Sequence, residues 1–181
     1  MGCCSSRVKA DPVRTILVIG AEGAGKTTLL RAIGRRCAGA DETTTIRTMP
    51  TIGVEVEYVT TPAARVMLQE VGGCMAPTWV RYYDRAAAVV FMVDAAAPEN
   101  FAEALVLLSE VVEKVRHRAI AVVLNKLDAD GADADAADAD AARQLLGLEE
   151  LAVEVFEGSL TGGALVGDLR DFVLRPPERR D

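Results

Sequence analysis

The sequence predicts an α/β fold: a six-stranded, mostly parallel sheet with helices on both faces. Three observations carry that expectation. Short apolar runs of strand length alternate with longer stretches of helical period, the pattern of strands joined by covering helices. A glycine-rich turn stands between the first run and the first helix. The length, 181 residues, suits one domain with enough core to fold alone.

Arg14 to Ile19 (RTILVI) reads as a buried strand ending at glycine. Gly20 to Thr27 is the glycine-rich turn. Lys26 to Cys37 has helical character and ends near Gly39. Val54–Thr60 and Arg65–Val71 are strand-like, and the short Thr61-Pro62 connection predicts an antiparallel hairpin. Ala86 to Val93 is a buried strand. Phe101 to Arg116 carries Phe101, Leu105, Leu108, Val112 and Val115 at helical spacing, and His117 follows or caps that helix. Ala119 to Leu124 is a further buried strand. Ala152 to Phe156 reads as the last, followed by a helix from about Gly163 to Leu174.

Residues 1–12 read as a flexible arm, 13–175 as the folded domain and 176–181 as a tail. The Ala/Asp tract at 128–142 alternates with a strand-like period of two, but Asp and Ala are poor strand formers. Its glycine falls at the wrong place for a calcium loop begun at Asp128. The tract therefore reads as a solvated loop leading into an Ala141–Leu146 helix.

The net charge of −7 argues against nucleic acid as a partner. It is concentrated at 128–150, which holds eight acids (Asp128, Asp130, Asp133, Asp135, Asp138, Asp140, Glu149, Glu150) and one base, Arg143. The rest of the chain is neutral. No apolar run approaches the ~20 residues that span a bilayer, and no long apolar stretch at the N-terminus marks a secretory signal. Cys3, Cys4, Cys37 and Cys74 lack metal-ligand spacing, with His117 the only histidine.

Gly20-Ala21-Glu22-Gly23-Ala24-Gly25-Lys26-Thr27 fits the phosphate-loop pattern, and it stands in the right context, after a strand and opening a helix. Glycines let the backbone wrap phosphates, and the amides of the helix N-terminus add positive partial charge. Lys26 is placed to reach the β- and γ-phosphates, and the Thr27 hydroxyl to bind Mg²⁺, with Thr28 beside it. Asn125-Lys126-Leu127-Asp128 follows a strand far downstream. A carboxylate such as Asp128 accepts two hydrogen bonds from guanine, whereas adenine lacks that paired donor edge. Asn125 would tie the base loop to the phosphate loop, and the Lys126 stem would cover the purine.

These motifs resemble those of small GTPases with the P-loop fold. Met49-Pro50-Thr51-Ile52-Gly53 and Val71-Gly72-Gly73 narrow the resemblance to the ADP-ribosylation-factor (Arf) family. Gly72-Gly73-Cys74-Met75-Ala76-Pro77-Thr78-Trp79, then Tyr82-Tyr83, are most similar to the Arf-like subtype numbered sixteen, and Leu146 to Leu151 is also Arf-like. The resemblance covers about residues 14 to 174. It implies a switch that binds GTP and GDP with Mg²⁺, recruits protein effectors near Thr51 and Trp79 when GTP-loaded, and answers to an exchange factor and an activating protein. By it, Thr51 ligates Mg²⁺ in the GTP state, the Gly73 amide meets the γ-phosphate, and Glu70 holds the metal through a water. Ser159, with Leu160 after it, offers its backbone to the base. The two strands between the switches would slide as a unit about Thr61-Pro62.

Two positions and the length of one segment depart from the family pattern. Glu70 replaces an aspartate beneath the metal. Cys74 replaces the glutamine that orients the attacking water, and a thiol is a poor substitute for an amide that both accepts and donates. The second switch is shorter between Gly73 and Trp79. Very slow intrinsic hydrolysis follows. Cys74 reads either as a small residue of a mobile loop or as a thiol activated by nearby amides. Two other functions compete: a scaffold that holds GTP without useful turnover, and a nucleotide kinase, against which Asn125 to Asp128 argue.

Met1-Gly2-Cys3-Cys4-Ser5-Ser6 fits the N-myristoylation signal at Gly2. One acyl chain binds membranes only marginally. Cys3 and Cys4 are ready palmitoylation sites, and Arg7, Lys9 and Arg14 add basic charge. The expected location is the cytoplasmic face of a membrane, vesicular or ciliary/flagellar by the resemblance.

Overall fold

β1 (Arg14–Gly20) runs through the middle of the sheet, and Ile16 to Ile19 are fully buried. The structure is a computed structural model that describes residues 13–40, 48–62, 64–128, 135–161 and 163–177. After β1 come α1 (Lys26–Cys37), β2 (Val54–Thr60), β3 (Arg65–Val71), short 3-10 turns at Gly73–Thr78, α2 (Val80–Tyr83) and β4 (Ala86–Asp94). α3 (Phe101–Lys114), β5 (Ala119–Asn125), α4 (Asp135–Leu145), β6 (Glu154–Gly158) and α5 (Ala164–Leu174) complete it. The strand order is β2-β3-β1-β4-β5-β6. β2 is antiparallel to β3, and every other pairing is parallel.

Successive side chains of a strand point to opposite faces, so β1 feeds two cores. Ile16 and Val18 pack with Leu29 and Ile33 of α1 and Leu169 and Phe172 of α5. Leu17 and Ile19 pack on the other face with Leu108 and Val111 of α3 and Ala142 of α4. The expected doubly covered sheet is thus present, hairpin included.

The register sets the carboxyl ends of the strands along one edge. Val18 stands beside Glu70, Gly20 beside Met92, Asp94 beside Asn125, and Asn125 beside Gly158. Ligands of such sheets bind in the crevice outside this edge. Gly20 must be glycine: its φ is 139°, and a Cβ there would stand 2.2 Å from the Met92 carbonyl oxygen.

Two element boundaries differ from expectation. α4 begins at Asp135, so the loop expected over 128–142 is helical in its second half. Ala139, Ala142 and Leu146 are buried at i, i+3 and i+7, a helical stripe that outweighs the period-two look of the sequence. β6 runs from Glu154 rather than Ala152, because its pairing with β5 carries it on to Gly158. The 3-10 turns and α2 had no periodic signal to announce them. Residues 1–12, 129–134 and 178–181 lie outside the described residues, so the arm, its lipidation residues and much of the Ala/Asp tract do too. No helix among the described residues is long and apolar enough to cross a membrane.

Candidate functional site: a phosphate loop and a base loop on one sheet edge

The phosphate loop leaves β1 at Gly20 and enters α1 at Lys26, with Gly25 as the N-cap residue. No side chain caps α1. Its first amides are therefore left for an anion, which the helix dipole favours. Lys26 is buried, and its Nζ donates to the Ala21 carbonyl at 2.7 Å. Burial pushes its ammonium below the usual lysine range, while Glu70, Glu22 and Cys74 pull the other way.

Three oxygens meet at the start of α1. Thr27 Oγ1 donates to Glu70 Oε2 at 2.7 Å, and Thr51 Oγ1 lies 3.0 Å from Thr27 Oγ1. Glu70 comes from the end of β3 and Thr51 from the segment before β2, so three separate stretches of chain converge. Hard oxygen donors of this kind suit Mg²⁺. No group of three or more His, Cys, Asp or Glu gathers as a metal centre among the described residues. The donor set here is therefore one carboxylate and two hydroxyls.

Gly73 follows β3 and lies on the phosphate loop itself. A Cβ there would stand 2.5 Å from the Glu22 amide nitrogen, so only glycine permits the approach. Cys74 is exposed in the adjoining turn, and it is the one predicted catalytic residue outside the cavity wall. Trp79, expected to be half core and half effector surface, is 1% exposed. It meets Phe91 edge-on, and its Nε1 donates to the Gly72 carbonyl at 3.3 Å. The indole thus anchors the turn after β3 from beneath rather than facing outward.

At the other end of the crevice, Asn125 is buried and bonded through both its nitrogen and its oxygen. Its Nδ2 donates to the Ala24 carbonyl at 3.0 Å, and its Oδ1 accepts from the Leu160 amide at 3.2 Å. One side chain thus joins phosphate loop, β5 and the loop after β6. Lys126 has a positive φ of 71°, and its Nζ pairs with Asp94 Oδ2 at 2.6 Å. This ties the side chain to the end of β4. Asp128 is exposed, and it accepts from Thr161 Oγ1 at 2.7 Å. Thr161 first, then Ser159, hold its carboxyl below the usual aspartate range.

A cavity of about 580 Å³ joins the two ends. Of the nucleotide and metal residues expected from sequence, all but Gly20, Ala21 and Ala24 line it. Ser159 and Leu160 do so as expected, but the Leu160 amide is committed to Asn125. Thr161 was missed. Its signal was a second hydroxyl two residues beyond Ser159, close enough for the 2.8 Å contact they make. Gly2, Cys3 and Cys4 lie outside the described residues.

The sequence model of the ADP-ribosylation factor family matches residues 5–174. ADP-ribosylation factor-like protein 1 of Drosophila melanogaster is 31% identical over 174 residues, covering 91% of this chain and 89% of its own. ADP-ribosylation factor-like protein 16 of Homo sapiens is 29% identical over 117 residues, covering 62% of this chain and 59% of its own. Among solved structures, the Arl6 small GTPase of Trypanosoma brucei with bound GppNp superposes with a TM-score of 0.69 at 19% identity, covering 90% of this chain and 95% of that one. That last likeness is one of fold. The chain belongs to the ADP-ribosylation factor family.

Proposed function

We propose that the protein is a membrane-tethered guanine-nucleotide switch of the Arf-like kind, binding GTP or GDP with Mg²⁺. The observation that carries the reading is Asn125, whose one side chain bridges the base loop and the phosphate loop. Asp128, oriented by Thr161, selects guanine through its paired donors. Lys26 and the open N-terminus of α1 take the phosphates. Thr27, Thr51 and Glu70 are the residues that would hold Mg²⁺, which supplies neutralisation of phosphate charge. Gly73, packed on the phosphate loop, is placed for its amide to report a γ-phosphate.

Hydrolysis is slow in this reading. Cys74 offers no side-chain amide to hold a water, so an activating protein must supply the missing group, and an exchange factor the release of GDP. Effectors meet an apolar face beside Thr51: Ile52 is 93% exposed, and Val54, Val56 and Tyr58 stand outward on β2. Acyl chains on Gly2, Cys3 and Cys4 tether the protein to the cytoplasmic face of a membrane, with vesicular or ciliary membranes favoured by the family.

Cys74 also favours a second reading, a scaffold that holds GTP without useful turnover. One experiment tests both. The unlipidated protein is purified and denatured, and the released nucleotide is identified by chromatography. GDP supports a working cycle. GTP supports the scaffold or an activator-dependent switch. Absence of guanine nucleotide, together with no uptake of added GDP, overturns the proposal.

A further inference from the structure

Neighbouring strands of the sheet begin, one after another, at arginine. Arg65 opens β3, Arg14 opens β1, and Arg85 and Arg118 stand immediately before β4 and β5. These strands lie side by side in the order β3-β1-β4-β5. Arg14 stands beside Val66, Thr15 beside Ala86 and Ala88 beside Ala119, which brings the four arginines within one residue of the same level. Glu154 opens β6, so the basic row stops at β5.

This edge is the amino end of the parallel strands, opposite the edge that holds the phosphate and base loops. Adjacent strands are about 4.8 Å apart, inside the ~8 Å over which physiological salt screens charge. Like charges held that close repel one another. Arg118 donates to the Asp84 carbonyl at 3.0 Å. Arg14, Arg65 and Arg85 are exposed, and no side-chain hydrogen bond or ion pair engages them among the described residues. Asp84, exposed beside Arg85, offsets one of the four charges. The excess negative charge of the chain lies elsewhere, at 128–150, between β5 and β6. A row of like charges so little balanced from within is complementary to an anionic surface outside the molecule.

The chain attached here says which surface. Residues 1–12 join β1 at this edge, and they carry Gly2, Cys3 and Cys4, the acylation sites of the reading above. The stretch from Gly2 to Val13 reaches at most ~40 Å when fully extended, so an acyl anchor keeps the arginine row near the bilayer. Cytoplasmic leaflets are anionic. We propose that the amino edge of the sheet, through Arg14, Arg65, Arg85 and Arg118, docks on anionic lipid headgroups. The inference rests on the membrane-tethered reading and adds an orientation to it, with the nucleotide cavity turned away from the bilayer.

The test sediments the N-myristoylated full chain with vesicles of phosphatidylcholine, alone or mixed with phosphatidylserine. The wild type is expected to bind the anionic vesicles about tenfold tighter or more, and high salt should erase the difference. Arg14→Gln, Arg65→Gln and Arg85→Gln together should remove that gain, each arginine near such a surface being worth roughly fivefold, and leave binding to neutral vesicles unchanged. Arg7 and Lys9 stay in place, so the loss is read at the edge alone. Retention of guanine nucleotide shows that the variant is folded. Arg31→Gln, Arg35→Gln and Arg143→Gln together take the same charge from α1 and α4 and should cost no more than about threefold. An edge variant that binds like the wild type, or a control that loses as much, overturns the proposal. So does tighter binding of the wild type to duplex DNA or polyglutamate than to the anionic vesicles. A wild type that binds both vesicles equally keeps its acyl tether and loses the basic edge. A wild type that binds neither loses the tether, and this inference with it.

Discussion

Cys74 and Trp79 stand five positions apart and have opposite fates. The thiol is exposed on a short turn, while the indole is sealed beneath it against Phe91. The turn therefore has a fixed root and an exposed rim, and in the proposed switch the rim is where the attacking water would be placed. Restoring an amide at the rim is expected to raise the rate. Cys74→Gln should speed single-turnover GTP hydrolysis at least tenfold, about 1.4 kcal/mol off the barrier. A rate equal to the wild type in a folded, GTP-loaded variant would show that the slow step lies elsewhere, with Glu70 the next residue to change. The identity of Cys74 was legible in the sequence because it sits one residue after a glycine pair. The burial of Trp79 was not, since it depends on Phe91 arriving from another strand.

At the scale of elements, the sheet was readable and the helix before β6 only in its last turns, since it begins at Asp135 and not at Ala141. Each central strand is an unbroken apolar run, because both faces are covered and no solvent side imposes alternation. α4 hides its period behind alternating Ala and Asp, and the small methyl groups of Ala139 and Ala142 carry its buried stripe. That stripe has a measurable consequence. Ala142 is wholly buried among Leu146, Leu148 and the α3 side of the core. Ala142→Leu is expected to cost about 1–3 kcal/mol by overpacking, read as a lower denaturant midpoint. In a solvated loop the same change would be neutral, and a neutral result would argue against the helix. The Arg31–Glu55 pair, at 3.2 Å, joins α1 to the edge strand β2. Being half exposed, it contributes little to stability, so the β2–β3 hairpin is held by its ladders and by the packing of Val59, Val66 and Leu68 in the core with α1 and α5.

The whole molecule is organised by the carboxyl edge of the sheet. Residues as distant in sequence as Ala24 and Asn125 touch there. The phosphate and guanine loops were legible because each is a short, local pattern. Contacts made across the edge, Thr161 to Asp128 and Glu70 to Thr27, were not, because only the strand register brings them together. The N-terminal segment of the sequence is expected to set location. Replacing Cys3 and Cys4 together by alanine should move the protein from the membrane to the soluble fraction, since one myristoyl chain alone binds only marginally. Unchanged retention on fractionation would assign the anchor to another part of the chain. Asn125 carries a last consequence. A side chain that donates to one loop and accepts from another makes the two halves of a ligand aware of each other. Guanosine should then bind more tightly when pyrophosphate is present, and pyrophosphate more tightly with guanosine, by the same factor of about 5–150. Asn125→Ala should leave two weak, independent half-sites, which titration calorimetry with the paired fragments would read directly.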